Sequence, residues 1–240
     1  MSKIRLGVNI DHVATVRNAR GENYPSPLRA SLFAQKSGAD SVTIHLREDR
    51  RHINDSDLKK IRSKLKIPLN LEIAATDKML KIALKSRPPF ICIVPEKRQE
   101  ITTEGGLNLN FRKNNLKMMI KKLKQKGLRV SLFIEPNLKD INTSKKLNAD
   151  CVEIHTGKFC NLVNKNKKYS QEIKKIQSAV TLGNKLGLEV HAGHGLTYRS
   201  AKILSKISGI KEFNIGHFLV GESIFVGLGK TIKEFKKIIK

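Results

Sequence analysis

Apolar and polar residues alternate in short runs along the chain, and longer segments with a helical spacing of apolar residues separate these runs. Period-two alternation is typical of β-strands, whereas apolar residues at i, i+3 and i+4 are typical of amphipathic helices. The sequence therefore predicts eight strands, which begin near Ile4, Ser41, Leu69, Phe90, Leu128, Cys151, Leu188 and Glu212.

Helices are predicted between these strands. Ser26 and Pro27 are residue types preferred at an N-cap and at the first helical position, and Thr76 and Ser170 precede other helical patterns. Further helices are predicted to begin at Asp55 or Ser56 and at Thr197 or Ser200, and a last helix to run from about Phe218 to the C-terminus.

Eight strands that alternate with eight helices predict an α/β chain with a parallel sheet and helical crossovers. A length of 240 residues favours a closed (β/α)8 TIM barrel over an open doubly wound sheet. No GxGxxG motif follows the first strand, which also counts against a dinucleotide-binding sheet. We therefore expect a single barrel domain over residues 1–240.

The polar face of the predicted strands carries titratable side chains. If helices cover the barrel, the apolar face of each strand points outward and the polar face lines the interior and its mouth. Buried carboxylates and imidazoles are costly unless they are paired or solvated, so this pattern indicates function, with a paired structural network as the alternative. The polar set comprises Asn9, Asp11, Thr43, His45, Arg47, Asn70, Glu72, Ser131, Glu135, Glu153 and His155.

The seven histidines lie outside the predicted helix interiors, and six of them follow or end a predicted strand. In this fold, the carboxyl ends of the strands and the loops after them form the catalytic face. Imidazole exchanges protons near neutral pH, so the pattern predicts an acid–base site. Five acids fall in the same zone: Asp11, Glu72, Glu96, Glu135 and Glu153.

Two glycine–histidine turns predict a phosphate site. Gly193, His194 and Gly195 follow the seventh strand, and Gly216 and His217 follow the eighth. Glycine lets backbone N–H groups approach an anion, and the loops after these two strands commonly bind phosphate in this fold.

Arg47, Arg50, Arg51 and His52 predict a second anion-binding cluster after the second strand, with a solvated run of charge as the alternative. The polar segment 95–107 after the fourth strand is expected to be either a lid that excludes water or a plain surface loop.

The chain carries 47 Lys and Arg against 21 Asp and Glu, a formal net charge of +26. Nucleic-acid binding is nevertheless disfavoured, because the lysines are spread over presumed helix faces and no aromatic residues interleave with them. No run of 18 apolar residues and no secretory leader pattern occurs, so neither a membrane span nor export is expected.

Metal and disulfide chemistry are not expected. The three cysteines lack CxxC spacing, which favours a reducing cytoplasm. Asp11-His12 and His191-x-x-His194 supply metal-ligand residue types, but no HxH follows the first strand and no HExxH occurs.

Several longer motifs resemble one family over essentially the whole chain. They are GVNIDHVATVRNARG (7–21), HLREDRRH (45–52), NLEIA (70–74), VPEKRQEITTEGGL (94–107), EIHTG (153–157), AGHGLTY (192–198) and NIGH (214–217). They resemble the deoxyxylulose-dependent pyridoxine 5′-phosphate synthases. The resemblance implies a (β/α)8 barrel, a cytoplasmic homo-octamer, and no redox or metal cofactor. It also implies condensation of 3-amino-2-oxopropyl phosphate with 1-deoxy-D-xylulose 5-phosphate to pyridoxine 5′-phosphate, phosphate and water.

The resemblance also implies residue roles. His45 and Glu72 match proton acceptors, His194 a proton donor, and Glu153 a carboxylate that stabilises the transition state. Contacts to the aminoketone phosphate are implied for Asn9, Arg20, Gly195, Gly216 and His217. Contacts to the deoxyxylulose phosphate are implied for Asp11, His12, Arg47, His52 and Thr102.

Two other functions stay open at this point. One is a different phosphate-binding barrel isomerase or aldolase, although a Schiff-base aldolase needs a strand-end lysine that the pattern does not offer. The other is a basic nucleic-acid-binding protein, which would bind DNA with a steep salt dependence.

Overall fold

Eight parallel strands pair in chain order and the first pairs with the last, so the sheet closes into a barrel. The computed structural model describes residues 3–96, 105–110 and 113–240. The strands are β1 (Arg5–Asn9), β2 (Ser41–His45), β3 (Leu69–Ala74), β4 (Phe90–Val94), β5 (Arg129–Ile134), β6 (Cys151–His155), β7 (Glu189–Gly193) and β8 (Ile210–Ile215). The predicted α/β barrel is therefore confirmed.

Eleven helices lie in the described part of the chain. They are α1 (Asp11–Arg20), α2 (Pro27–Lys36), α3 (Asp55–Lys64), α4 (Asp77–Ser86), α5 (Lys113–Lys124), α6 (Leu138–Lys146), α7 (Gly157–Asn164), α8 (Ser170–Lys185), α9 (Tyr198–Leu204), α10 (His217–Val226) and α11 (Leu228–Ile238). The side chains of Ser26, Thr76 and Thr197 cap α2, α4 and α9, because each oxygen accepts a hydrogen bond from an amide of the first turn.

The prediction of one last helix from about Phe218 was wrong. The chain forms α10 and α11, and Gly227 between them takes φ 86° and ψ 141°, a conformation that interrupts the helix and suits only glycine. Helices α1 and α7 were not predicted either. The first lacks a continuous apolar stripe, since its buried residues are Asp11, Ala14 and Arg17.

The apolar face of each strand points outward and packs under the helices. Val8, Ile44, Leu71 and Leu132 are fully buried in this layer. The opposite faces enclose a polar interior that includes Thr43, Asn70, Ser131, Glu153 and Asn214. Because consecutive side chains of a strand alternate between two directions, this outward apolar layer fixes which polar residues face the barrel axis.

An ionic network fills the amino end of the barrel. The Arg5 guanidinium contacts Glu189 and donates to Glu212 at 2.7 Å, and the Arg129 guanidinium donates to Glu189 at 2.8 Å. His191 lies 2.7 Å from the same Glu189 oxygen. These groups are paired with one another. At the amino end of the barrel, the polar interior is therefore a paired structural network, which was the alternative to a functional site.

Arg17 of α1 forms a buried ion pair with Asp57 of α3, with 2.7 Å between Nη1 and Oδ1. Replacing Arg17 by Met is expected to lower the free energy of unfolding by about 3–5 kcal/mol, because the Asp57 carboxylate would be left buried and unpaired. Urea unfolding measures this loss. The control, Lys237→Met, removes an exposed ion pair to Glu234 and should cost less than about 1 kcal/mol. Equal small losses in both variants would contradict the expectation.

Candidate active site

A cavity of about 330 Å³ opens at the carboxyl end of the barrel. Strands β1, β2, β3, β4, β5, β6 and β8 and the turns after β7 and β8 contribute to its wall. The lining residues are Asn9, Asp11, His12, His45, Arg47, His52, Glu72, Val94, Phe133, Glu153, His194, Gly195, Asn214, Gly216 and His217. A concave site rich in acids and bases at this end of a barrel is the usual location of catalysis in the fold.

The cavity brings together all of the site residues expected from the sequence except Arg20 and Thr102. Arg20 is exposed at the last position of α1. That helix begins at the cavity with Asp11 and carries the chain about 13 Å away from it, which explains the placement of Arg20. Thr102 lies outside the described residues, as does most of the segment expected to be a lid.

Asp11 ties the ends of β1 and β2 together beneath the cavity. One of its carboxylate oxygens accepts a hydrogen bond from the His45 amide at 2.8 Å, and the other accepts one from Asn9 Nδ2 at 2.9 Å. The Asn9 side-chain oxygen accepts in turn from the Asp11 amide at 2.9 Å. The two side chains therefore hold each other and the start of α1 in place.

The His45 ring is buried in the cavity wall, and its Nδ1 lies 3.9 Å from Glu72 Oε2. Its Nε2 has no hydrogen-bond partner among the described residues. Burial, reinforced by the positive charge of Arg47, lowers the pKa of His45 to about 3. His45 is therefore a neutral base at physiological pH, with one nitrogen available to a bound molecule.

The buried carboxyl groups of the cavity hold their protons more tightly than usual. Burial raises the pKa of Asp11 to about 7 and that of Glu153 to about 8. Burial, with repulsion from Glu153 and Asp11, raises the pKa of Glu72 well above its usual range. Glu153 Oε2 also accepts a hydrogen bond from Asn214 Nδ2 at 2.7 Å. At neutral pH burial therefore favours the protonated form of Glu72 and Glu153 and the uncharged form of His45.

Three imidazoles gather on one side of the cavity. The ring of His12 lies 4.9 Å from that of His217 and 6.0 Å from that of His52. Burial, with repulsion from His12, lowers the pKa of His52 to about 4, and its Nδ1 is 2.9 Å from Thr15 Oγ1. A phosphate dianion placed here would favour protonation of these rings.

The arginine cluster expected after β2 is divided between the cavity and the surface. Arg47 is buried in the cavity wall, with its Nε 3.4 Å from Glu96 Oε1. Arg50 donates to Asp55 at 2.8 Å and Arg51 to Asp49 at the same distance, on the outer side of the loop. The expected cluster was therefore only partly right: Arg47 and His52 face the cavity, and the other two arginines form surface ion pairs.

The turn after β7 presents His194 to the cavity from an unusual backbone conformation. His194 has φ 73° and Gly195 has φ 78°, both in the left-handed region that residues with a side chain rarely adopt. Burial, with repulsion from His155 and His217, lowers the pKa of His194 to about 4. Outliers of this kind concentrate at functional sites, where the surrounding structure holds them.

Three residues of the cavity wall were not expected from the sequence: Val94, Phe133 and Asn214. Asn214 shares the inward face of β8 with Glu212, a period-two signal that could have identified it. His191 was expected at a strand end, but it lies in the middle of β7 and belongs to the network at the amino end.

One group of possible metal ligands occurs among the described residues. Atoms of Cys151, Glu189 and His191 lie within 4.8 Å of one another at the amino end of the barrel, opposite the cavity. Glu189 already binds Arg5, Arg129 and His191, so two guanidinium groups stand beside the position that a cation would need.

The proton-holding carboxyl groups predict a pH dependence of stability. Folded Asp11 and Glu153 keep their protons up to about pH 7 and 8, whereas unfolded carboxyls lose theirs near pH 4. Between about pH 6.5 and 8, the unfolding free energy of the ligand-free protein should therefore fall as pH rises, by at most about 1.4 kcal/mol per unit and group. Below about pH 6.5, the neutral buried histidines oppose this trend, because the unfolded chain takes up their protons.

Urea unfolding at pH 6.5 and 8.5 measures this dependence. Glu153→Gln, whose side chain is neutral throughout, should lose less stability over the interval than the wild type. If the stability of the wild type rises over the interval, or if both proteins lose the same amount, the raised pKa values of the buried carboxyl groups are contradicted.

Fold and cavity together define a (β/α)8-barrel enzyme. Solved structures of similar fold include a phosphoribosylanthranilate isomerase from Thermotoga maritima, with TM-score 0.63, 13% identity and 98% coverage of each chain. A tryptophan synthase from M. tuberculosis gives TM-score 0.66 at 10% identity, over 99% of this chain and 93% of that one. At such identities these similarities show the fold alone.

The sequence comparisons are more specific. Residues 6–240 match the model of the family "Pyridoxal phosphate biosynthesis protein PdxJ". A pyridoxine 5′-phosphate synthase of Pelagibacter ubique is 61% identical over 98% of both chains. One of Syntrophotalea carbinolica is 52% identical over 98% of both chains. The chain belongs to the PdxJ family of pyridoxal phosphate biosynthesis proteins.

Proposed function

We propose that this protein is a pyridoxine 5′-phosphate synthase that condenses 3-amino-2-oxopropyl phosphate with 1-deoxy-D-xylulose 5-phosphate. The products are pyridoxine 5′-phosphate, phosphate and water. The observation that carries the proposal is the convergence of His45, Glu72 and His194 on one cavity in a chain of this family. The reaction joins two carbonyl compounds through an imine and then eliminates water and phosphate. Each of these steps moves a proton, so several acids and bases are needed around one cavity.

In this proposal His45 and Glu72 accept protons and His194 donates one. Because burial lowers the pKa of His194 to about 4, the donor is the N–H group of an uncharged imidazole. The neutral state of His45 and its free Nε2 support its role as a base. Glu72 begins as a protonated acid, and the positive charge of an aminoketone substrate would favour its ionisation. Glu153 also begins as a protonated acid, because burial raises its pKa to about 8. A cationic imine beside it would favour its ionisation, and the carboxylate, held by Asn214, would then stabilise that charge in the transition state.

Two anion-binding regions would hold the two phosphorylated substrates. Arg47, His12 and His52, with Asp11 beside them, would bind the deoxyxylulose phosphate. Gly195, Gly216, His217 and Asn9 would bind the aminoketone phosphate. The amides of the β7 turn and the N-terminal end of α10 supply N–H groups to that second region. Fixing both substrates in this way can supply about 7–11 kcal/mol of the barrier reduction.

The direct test mixes the purified protein with both substrates and follows pyridoxine 5′-phosphate by its absorbance and free phosphate by a colorimetric assay. Product and phosphate should appear in equal amounts, and omission of either substrate should abolish both. Phosphate release without the pyridine product would contradict the proposal.

The alternative functions have less support. The described cavity-lining residues include no lysine, which a Schiff-base aldolase would need. DNA binding would show as a gel shift that weakens steeply with salt. We expect no shift at moderate salt, because the lysines are not gathered on one stripe.

We further propose that the protein acts in the cytoplasm as a homo-oligomer, an octamer by the family resemblance. Cys92, Cys151 and Cys160 are buried free thiols, as suits a reducing compartment. Among the described helices, none has the length and apolar character to cross a bilayer. Val16 of α1 and Ile224 and Phe225 of α10 are exposed, and such apolar surface is typical of subunit contacts. Light scattering should give a mass several times that of one chain, and a smaller one for Phe225→Asp.

A further inference from the structure

The carboxyl end of β6 supports the turn that carries His194. Thr156 follows β6 and is fully buried. Its amide donates to the Gly193 carbonyl oxygen at 2.9 Å. Its hydroxyl lies 2.8 Å from the carbonyl oxygens of both Gly193 and His194. Thr156 therefore contacts the carbonyl groups before and after the Cα of His194, the residue that takes the left-handed conformation.

The neighbouring residues of the same segment hold the His194 ring. The rings of His155 and His194 meet edge to face, with 4.9 Å between their centroids. Gly157 makes this contact possible: a Cβ at that position would lie 2.7 Å from His155 Nε2 and 2.9 Å from His194 Cδ2. Any larger residue would push the two rings apart.

Glu135, just beyond β5, fixes the His155 ring. Its Oε1 lies 3.0 Å from His155 Nδ1 and also accepts a hydrogen bond from the Gly106 amide at 2.7 Å. The hydrogen bond to His155 lowers the pKa of Glu135, so the group is an ionised acceptor and His155 carries its proton on Nδ1. His155 Nε2 is buried beside His194 with no hydrogen-bond partner among the described residues.

We propose that Thr156 and the Glu135–His155 pair are positioning residues for His194. Thr156 holds the main chain in the conformation that directs the ring into the cavity, and the pair fixes the orientation of that ring through its edge-to-face contact with His155. This inference rests on the proposed function, in which His194 donates a proton. None of the three residues lines the cavity, so they act through His194.

The first test replaces Thr156 by Val, which keeps the shape and the amide but removes the hydroxyl. We expect kcat to fall at least about 30-fold with KM within about threefold, because misplacement of a catalytic group by 1 Å can cost about 100-fold in rate. Thr156→Ser restores the hydroxyl and should recover most of the rate. The control is Thr231→Val, another fully buried threonine whose hydroxyl donates to a main-chain oxygen, Gly227; its kcat should be unchanged.

The second test reads the His194 ring without turnover, by NMR titration of histidine-labelled protein with His194→Gln used for assignment. His155→Gln keeps a donor to Glu135 but removes the imidazole whose repulsion, together with burial, lowers the pKa of His194. The pKa of His194 should therefore rise. The charged or titratable groups that act on His194 are His155 and His217 of α10, and Lys158 of α7 acts on Glu135. The control Lys237→Gln, on the exposed face of α11, should leave the titration unchanged.

The outcomes distinguish a failure of the proposed function from a failure of the positioning roles. If the wild type forms no pyridoxine 5′-phosphate, the proposed function fails, while the titration still reports on His194. Folded Thr156→Val with wild-type kcat, or Thr156→Ser as slow as Thr156→Val, would overturn the role of Thr156. An unchanged His194 titration in His155→Gln would overturn the role of the pair.

Discussion

Replacing Glu72 by Gln is expected to lower kcat by about 10²–10⁴-fold and to change KM for either substrate by no more than about threefold. Glutamine keeps the shape of the side chain but cannot accept a proton, and general acid–base groups typically contribute rate factors of this size. Glu72 lines the cavity but is not among the residues proposed to bind phosphate, so substrate affinity should be little affected. Steady-state assays of product absorbance give both constants.

His45→Ala should show the same pattern, because its ring faces Glu72 across 3.9 Å. If both groups serve one proton-transfer step, the double variant should be hardly slower than the single ones. Cys92→Ala is the control, since Cys92 pairs in register with Glu72 but does not line the cavity. Near wild-type turnover in both single variants would remove the acid–base assignment.

Gly193→Ala is the second substitution expected to have a large effect. A Cβ at this position would overlap Glu153 Oε1 and lie 3.3 Å from the Asn214 carbonyl oxygen. Glu153 is buried and bound to Asn214, so it has little freedom to move aside. We expect a destabilisation of about 1–3 kcal/mol, the usual result of overpacking. We also expect kcat to fall about 100-fold as the carboxylate is displaced.

Gly221→Ala provides the matched control for this substitution. Gly221 lies inside α10 with nothing within 4 Å of the position that a Cβ would take. Alanine there should stabilise the protein by about 0.5–1 kcal/mol and leave kcat unchanged. Urea unfolding and steady-state kinetics on both variants make the comparison. If the folded Gly193→Ala protein keeps the wild-type kcat, the position of Glu153 is not critical for the reaction.

The inward-facing site residues could be predicted because a strand offers its side chains only two directions. Once the apolar face of β2 is assigned to the helices, His45 must point inward, and the same argument places Glu72 and Glu153. The closed barrel followed from the number of strands and the length of the chain. This alternation holds only within a strand. Arg50 and Arg51 lie in the loop after β2, and they were grouped with Arg47 although they form surface ion pairs.

The remaining features depend on three-dimensional packing that a linear pattern does not encode. Helix α1 buries Asp11, Ala14 and Arg17, so it has no apolar stripe to identify it. The same helix carries Arg20 away from a cavity that its first residue lines. Asn214 contributes through its side-chain amide, which donates to Glu153, and asparagine gives no titratable signal in a sequence. The left-handed conformation of His194 became evident only from its dihedral angles.

The lowered pKa values of His12 and His52 have a consequence for ligand affinity. Burial lowers the pKa of His52 to about 4 and also lowers the pKa of His12, which favours the uncharged form of both rings near pH 7. A phosphate dianion beside them favours the charged ring, so complex formation should draw hydrogen ions from solution. Calorimetry in buffers of different ionisation enthalpy would count these ions. Affinity should then weaken toward alkaline pH, because the hydrogen ions taken up on binding become scarcer there.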